Sequence, residues 1–154
     1  VPLLDALCTA LDVPLSDPSI RHVHLEGNGP CFCAGGDLDE FGLAPDAATA
    51  HWIRTQRLPS ARLARLGERF SCRIHGAAVG AGIELAAFAG QLRATPESWF
   101  QLPELRYGLI PGAGGTVSLP RRIGRQRTAY LALSMARLDA KCALDWGLID
   151  AIDS

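Results

Sequence analysis

Two glutamates of this chain stand where a carboxylate could move protons. Glu84 interrupts the small, apolar run GAGIELAAFAG (80–90), and Glu104 opens the glycine-rich segment that follows LP at 102 and 103. The glycines before Glu84 permit a sharp bend and predict that it lies in the first turn of a helix, whose free N–H groups form an anion site. Burial would raise the pKa of this carboxylate, whereas the helix dipole would lower it.

A simpler interpretation of Glu84 places it on the exposed side of an amphipathic helix, or in an ion pair with Arg73 or Arg93. The presence of a second carboxylate, Glu104, instead favours a catalytic role for Glu84. Two carboxylates beside two loops of free backbone N–H groups can together transfer protons next to a carbonyl.

Glycine-rich loops accompany both glutamates. GNGPCFCAGGDLDEFG (27–42) predicts an irregular loop and a candidate site, with Asp37 or Asp39 placed to cap a following helical turn. GAGGT (112–116) lacks the Lys-Ser/Thr of a phosphate loop, and GAG (80–82) lacks the third glycine and the acidic residue of a dinucleotide fingerprint. Both are interpreted as turns.

Helices and strands that would position these residues alternate along the chain. This alternation predicts the α/β class, with mainly crossover connections between strands and one domain over 1–154. Hydrophobic periodicity, capping residues and turn residues place the elements. The predicted helices cover 1–11, 46–58, 61–67, 80–90, 116–124, 125–138 and 139–147, and the predicted strands cover 21–27, 69–80, 91–95, 99–102 and 148–152.

Composition excludes several kinds of partner. The net charge of −1 gives no bias toward nucleic acid. No apolar run approaches the ~20 residues that cross a bilayer, and the first residues lack a signal-peptide pattern, so we expect no membrane association. An odd number of cysteines without framework spacing favours free thiols in a reducing compartment, and the cytoplasm is expected; they are Cys8, Cys31, Cys33, Cys72 and Cys142.

Histidines do not indicate a metal site. His22 and His24 point to one face of a predicted strand, and His51 and His75 lie elsewhere in the chain. The carboxylates and cysteines near these histidines in the sequence do not have the spacing of zinc ligands. No metal is therefore expected.

Three blocks in collinear order resemble the crotonase family, also called the enoyl-CoA hydratase/isomerase family. They are CFCAGGDL (31–38), HGAAVGAGIEL (75–85) and LPELRYGLIPGAGGT (102–116), and the ending ARLDAKCALDWGLIDAI (136–152) follows them. The resemblance implies a fold of repeated ββα units that binds an acyl-CoA thioester, with coenzyme A as part of the substrate and no other cofactor.

By this resemblance, the thioester oxygen binds between the backbone N–H groups of Ala34 and Ala81. Glu84 would orient and deprotonate the attacking water, and Glu104 would exchange the proton at the α-carbon. Further substrate contacts fall to Cys33, Gly35, Gly36, Asp37, Leu38 and Gly82. The implied reaction is hydration of an enoyl-CoA by a homo-oligomer, a trimer or a dimer of trimers.

Two departures from the family pattern keep alternatives open. Ala81 stands where glycine is usual, which could narrow the acyl site, and the resemblance lacks the family's first strands and C-terminal helices. An isomerase or other crotonase reaction that uses Glu104 alone is one alternative. The other is a non-catalytic subunit that binds acyl-CoA.

Overall fold

A computed structural model describes residues 2–37, 45, 46, 48, 49, 52, 55 and 57–153. Leu38, Asp39 and His51, which enter the predictions above, lie outside the described residues. So does much of the predicted helix over 46–58.

Seven strands and five helices are assigned within the described residues. In chain order they are α1 (Pro2–Ser16), β1 (Val23–Glu26), α2 (Pro59–Leu66), β2 (Phe70–Ile74), β3 (Ala77–Val79), α3 (Ala81–Ala86), β4 (Gln91–Ala94), β5 (Trp99–Gln101), α4 (Gly115–Ser134), β6 (Leu138–Asp139), α5 (Ala140–Trp146) and β7 (Ala151–Ile152). Short 3-10 helices cover Gly67–Arg69 and Glu104–Tyr107.

The strands form two sheets. One has the order β1-β2-β4-β7 with every pairing parallel, and the other has the order β3-β5-β6, in which only β5 and β6 are antiparallel. The strand pairs β2–β3 and β4–β5 are followed by the helices α3 and α4, so each forms a ββα unit. The predicted α/β class and the repeated ββα unit are confirmed.

The larger sheet has one apolar and one polar face. Cys72, Ile74, Leu92 and Ala94 are buried in the core, because alternate side chains of a strand point to the same face. On the other face, Arg73 and Arg93 both bond to the carboxylate of Asp153, at 2.6 Å. The interpretation that one of these arginines pairs with Glu84 is therefore wrong.

Several element boundaries differ from the predictions. Helix α1 continues to Ser16, with Pro14 inside its last turn. The predicted strand over 69–80 is two strands, because Gly76 adopts a left-handed φ of +59° between them.

The break predicted between the helices 116–124 and 125–138 is present within α4, because Gly124 has the non-helical angles φ +79° and ψ 163° and divides α4 into two helical segments at a kink. The second segment ends earlier than predicted. Met135 takes the left-handed conformation (φ +53°) and accepts a 2.7 Å hydrogen bond from Gln101 Nε2 on its carbonyl. Residues 136–138 are therefore not helical, and Leu138 pairs with Phe100 in the small sheet.

The termini of α5 follow the prediction. Asp139 caps the helix by accepting a 2.7 Å hydrogen bond from the backbone N–H of Cys142, and Gly147 ends it with φ +78°. Both signals act within one turn of chain, which is why the sequence alone predicted them.

Arg122 of α4 joins three parts of the chain. Its guanidinium, 11% exposed, donates hydrogen bonds to the carbonyls of Ala87, Ala89 and Leu148 and pairs with Asp150 at 3.2 Å. These bonds connect the end of α3 and the segment before β7 to the middle of α4. Among the described residues, no helix has the length and apolar character needed to cross a membrane.

Candidate active site

Glu84 lies in the first turn of α3 and is 2% exposed. Gly80 turns the chain into this helix with φ +53°, and its carbonyl accepts the backbone N–H of Glu84 at 3.0 Å. The sequence predicted that the N–H groups of this same helix would form the anion site. The carboxylate does not bind them. Its Oε2 instead accepts two hydrogen bonds, each 2.8 Å long, from the backbone N–H groups of Ala113 and Gly115.

The amino end of α4 supplies these donors. The turn predicted over 112–116 ends at Gly114, whose φ is +117°, and the helix begins at Gly115. A methyl group on Gly115 would lie 2.6 Å from Glu84 Cγ and 2.8 Å from its Oε2, so only glycine fits beside this carboxylate. Ser118 is 1% exposed and donates its hydroxyl to the Glu84 backbone carbonyl at 2.7 Å.

Glu104 starts the 3-10 helix after β5 and is half-buried. The strand brings it to Gly80, because the N–H of Gly80 donates to the carbonyl of Gln101 at 2.9 Å. A methyl group on Gly80 would lie 2.7 Å from Glu104 Oε1. Oε2 of Glu104 is buried and accepts no hydrogen bond from the described residues.

The two carboxyl groups form an electrostatically coupled pair. Burial raises the pKa of Glu84 to about 7, although the N–H groups of Gly115 and Ala113 oppose this by favouring the charged form. Burial also raises the pKa of Glu104, while the hydrogen bond from Glu84 lowers it. Burial therefore favours the protonated form of both carboxyl groups, so the pair can exchange a proton near neutral pH.

The loop that carries Cys33 packs against the strand and helix before Glu84. The backbone N–H of Cys33 donates to the Ala77 carbonyl, and its own carbonyl accepts the N–H of Val79, both at 3.0 Å. A methyl group on Gly82 would lie 2.7 Å from Cys33 Cβ. The two segments of the chain therefore pack so closely that position 82 requires glycine.

Ala34 follows Cys33, and Ala81 is the first residue of α3. Each of them is the sequence neighbour of a residue in the close contact above, which joins Cys33 and Gly82. Neither backbone N–H donates a backbone hydrogen bond to another described residue. Gly35 lies beside Ala34 with φ +113°, a conformation that a side chain would strain.

The remaining predicted contacts lie farther along this loop. Gly36 and Asp37 are exposed, and Leu38 lies outside the described residues. His22 Nε2 and His24 Nδ1 both hydrogen bond with Ser71 Oγ, at 2.7 Å. In the part of the chain that the structure describes, no group of three histidine, cysteine or acidic residues could hold a metal ion.

Sequence reasoning missed Ala113 and Ser118. The small residues just before a long helix were a weak signal that its first N–H groups stay accessible. Nothing in the sequence indicated Ser118, because its partner is a backbone carbonyl on another helix.

A fold of repeated ββα units in which a buried glutamate is coupled to a half-buried one defines a class of protein that can move protons beside a carbonyl. The sequence model of the enoyl-CoA hydratase/isomerase family matches residues 2–154. The chain belongs to this family.

Individual relatives cover nearly all of the chain. It is 37% identical over 147 residues to an enoyl-CoA isomerase/hydratase of Mycosarcoma maydis, covering 95% of this chain and 54% of that protein. It is 35% identical over 150 residues to the 2,3-dehydroadipyl-CoA hydratase of Escherichia coli, covering 97% of this chain and 58% of the relative. The chain thus spans about half the length of the curated relatives it matches.

Solved structures support the same fold. The crystal structure of an enoyl-CoA hydratase from Mycobacterium smegmatis superimposes with a TM-score of 0.87 at 29% sequence identity. The superposition covers 98% of this chain and 59% of that chain. The described architecture is therefore that of the crotonase superfamily.

Proposed function

We propose that this chain carries the catalytic core of an enoyl-CoA hydratase, which adds water across the 2,3 double bond of an enoyl-CoA thioester. One observation carries the proposal: buried Glu84 and half-buried Glu104 interact with each other, and burial raises the pKa of both. Water addition needs one group that accepts a proton and one that donates a proton, and this pair supplies both.

The thioester oxygen would bind between the backbone N–H groups of Ala34 and Ala81. Negative charge develops on this oxygen when water attacks the β-carbon, and two fixed donors stabilise it by ~3 to 4 kcal/mol each in comparable sites. The substrate would further contact Cys33, Gly35, Gly36, Asp37, Leu38 and Gly82.

In the addition step, the ionised carboxylate of Glu84 takes a proton from water while the water oxygen bonds to the β-carbon. The π electrons of the double bond move toward the thioester and form an enolate. The α-carbon then takes the proton of Glu104, which completes the hydrated product. Glu84 is left protonated and Glu104 ionised, so the number of protons on the pair is unchanged.

The pair resets when the proton passes from Glu84 to Glu104. The addition leaves the proton on Glu84, where burial raises the pKa of the carboxyl group. This state is ready for dehydration, the reverse reaction, in which Glu84 protonates the leaving hydroxyl group. A further cycle of hydration therefore requires one proton transfer within the pair.

A double-bond isomerase is the second candidate. Glu104 alone could carry a proton between the α- and γ-carbons of an enoyl thioester, and its Oε2 has no hydrogen-bond donor among the described residues. The relative from Mycosarcoma maydis is named for both activities. A subunit that binds acyl-CoA without turnover is the third candidate.

The test measures the loss of conjugated enoyl-thioester absorbance when crotonyl-CoA is added to the parent, Glu84→Gln and Glu104→Gln. We expect turnover in the parent and a loss of roughly a hundredfold or more in each variant, with acyl-CoA binding retained. Glu97→Gln is the control, because Glu97 is exposed and accepts a hydrogen bond from the hydroxyl of Thr95.

Full activity in either glutamine variant would overturn the two-carboxylate mechanism. A Glu84→Gln variant that still converts a 3-enoyl-CoA to the 2-enoyl product would favour the isomerase. Binding without turnover, measured by calorimetry in the full-length protein, would favour the third candidate.

Assembly and location are part of the proposal. We expect a homo-oligomer, a trimer or a dimer of trimers, which analytical ultracentrifugation would detect. We expect it to act in the cytoplasm, because its described cysteines are all free thiols.

A further inference from the structure

The contact between α3 and α4 holds Glu84 by its backbone as well as by its carboxylate. The N–H groups of Gly115 in α4 and of Ala113 just before α4 bind Oε2, and the hydroxyl of Ser118 binds the backbone carbonyl of the same residue. The two N–H contacts stabilise the negative charge of the Glu84 carboxylate. The Ser118 hydroxyl does not contact the carboxylate, so its hydrogen bond needs a separate explanation.

Ser118 is a polar residue in an apolar contact. It is 1% exposed, and its neighbour in the helix, Leu119, is completely buried. A buried hydroxyl without a hydrogen-bond partner is unfavourable, so its direction is set by the acceptor that it reaches. Since that acceptor is the Glu84 carbonyl, the hydroxyl sets the position of α3 relative to α4.

We propose that Ser118 is a positioning residue that keeps Glu84 in register with the amino end of α4. The inference rests on the proposed function for its catalytic meaning, but its structural content concerns the free protein. Without the Ser118 hydroxyl, α3 shifts on α4 and the N–H groups of Ala113 and Gly115 no longer reach Oε2 well. Glu84 then loses the two donors that stabilise its charged form.

The space around Glu84 explains why a small shift matters. Gly115 already lies so close that a methyl group on it would clash with Glu84 Cγ, and Glu104 is near enough to interact with the carboxyl group. Little space is therefore left for the Glu84 side chain to follow its two N–H donors by changing rotamer. Its position depends on the backbone, which Ser118 holds.

Other charged groups near these helices are directed elsewhere. On α4, Arg121 is exposed and Arg122 donates to the Ala87 carbonyl at the far end of α3. On α2, Arg62 pairs with Asp12, and Arg65 is exposed. Glu104 is the titratable group that acts on Glu84, so a change in the pKa of Glu84 reports on Glu104 and the two N–H donors.

The experiment follows the carbon-13 signal of the Glu84 carboxyl group by NMR from about pH 4 to about pH 9. Glu84→Gln identifies the signal. We expect Ser118→Ala to raise the pKa of Glu84 by about 0.5 to 1, the effect of weakening one hydrogen bond to the charged form. With crotonyl-CoA, kcat should fall about fivefold and KM should stay near the parent value.

Ser134→Ala is the matched control. Ser134 lies on the same helix and donates its hydroxyl to the Tyr130 carbonyl at 2.6 Å, but it is exposed and remote from Glu84. This variant should leave the pKa and kcat unchanged. A purely structural role for Ser118 would lower the melting temperature and leave the pKa of Glu84 where it is in the parent, which would overturn the proposal.

Ser118→Cys covers the case in which the alanine variant does not fold. The thiol fills the site and is a weaker donor, so a smaller rise in the pKa is expected. A folded cysteine variant with an unchanged pKa and unchanged kcat would also overturn the proposal. If the parent shows no turnover but Ser118→Ala still moves the pKa, the proposed function fails and the positioning role stands.

Discussion

Glu84 Oε2 accepts a 2.8 Å hydrogen bond from the backbone N–H of Gly115, the first residue of a twenty-residue helix. The contact joins two helices that are far apart in sequence. It also leaves the carboxyl group in a largely apolar environment, where its pKa rises to about 7 because burial outweighs the donors. This balance makes the residue useful for proton transfer and costly for stability.

Glu84→Gln should raise stability at high pH while it removes activity. The folded pKa of Glu84 lies above its unfolded value near 4.5, so its favourable contribution is present below that value and is lost as pH rises through about 7. The loss amounts to about 3 kcal/mol. The glutamine does not titrate, and its oxygen can still accept from Ala113 and Gly115.

Thermal melts at pH about 5 and about 8 measure this effect. The variant should gain roughly 6 to 12 °C relative to the parent at the higher pH and little at the lower one. An equal gain at both values would contradict the titration argument. Asp46→Asn is a control, because it changes an exposed carboxylate whose pKa is lowered by its hydrogen bond from Thr49.

The pH dependence of kcat/KM for crotonyl-CoA should have an alkaline limit near pH 7. The mechanism requires one proton on the Glu84–Glu104 pair, and that proton is lost as pH rises through the pKa of about 7. A second proton inactivates the pair at low pH. A rate that keeps rising well above pH 8 would contradict the shared proton.

Gly82→Ala should lower activity by displacing the loop of Ala34. The added methyl group would lie 2.7 Å from Cys33 Cβ and 3.1 Å from its Sγ, so the loop must move. We expect kcat/KM to fall roughly tenfold or more, by analogy with a weakened oxyanion donor.

A second substitution tests the cause. In the double variant Gly82→Ala with Cys33→Gly the clashing atoms are gone, so part of the activity should return. Gly67→Ala is a control, because Gly67 has φ +54° with open space around it and should lose stability alone. No return of activity would contradict the proposed clash.

Arg122→Gln should destabilise the fold without a direct effect on chemistry. The guanidinium bonds three backbone carbonyls, and its loss leaves buried acceptors without donors. We expect the free energy of unfolding to fall by about 2 to 4 kcal/mol in a denaturant titration. Arg121→Gln is the matched control. Arg121 is the exposed neighbour of Arg122, so its substitution should change the free energy of unfolding by less than about 0.5 kcal/mol.

Sequence alone predicted the parts of this structure that local chemistry controls. The alternation of helix and strand, the turn before Glu84 and the capping of α5 by Asp139 depend on residues within a few positions of one another. The resemblance to the enoyl-CoA hydratase/isomerase family rested on ordered motifs, and the family match confirmed it.

Tertiary structure decided where the partners of those residues come from. The sequence suggested that the helix of Glu84 would itself supply the hydrogen-bond donors of the carboxylate, but the donors are Gly115, at the start of α4, and Ala113, in the turn before it. The end of α4 at Met135 depends in the same way on Gln101, which lies in a neighbouring strand. A buried group must find a partner, but which segment supplies it depends on how helices and strands pack, because residues distant in sequence meet only in the folded chain.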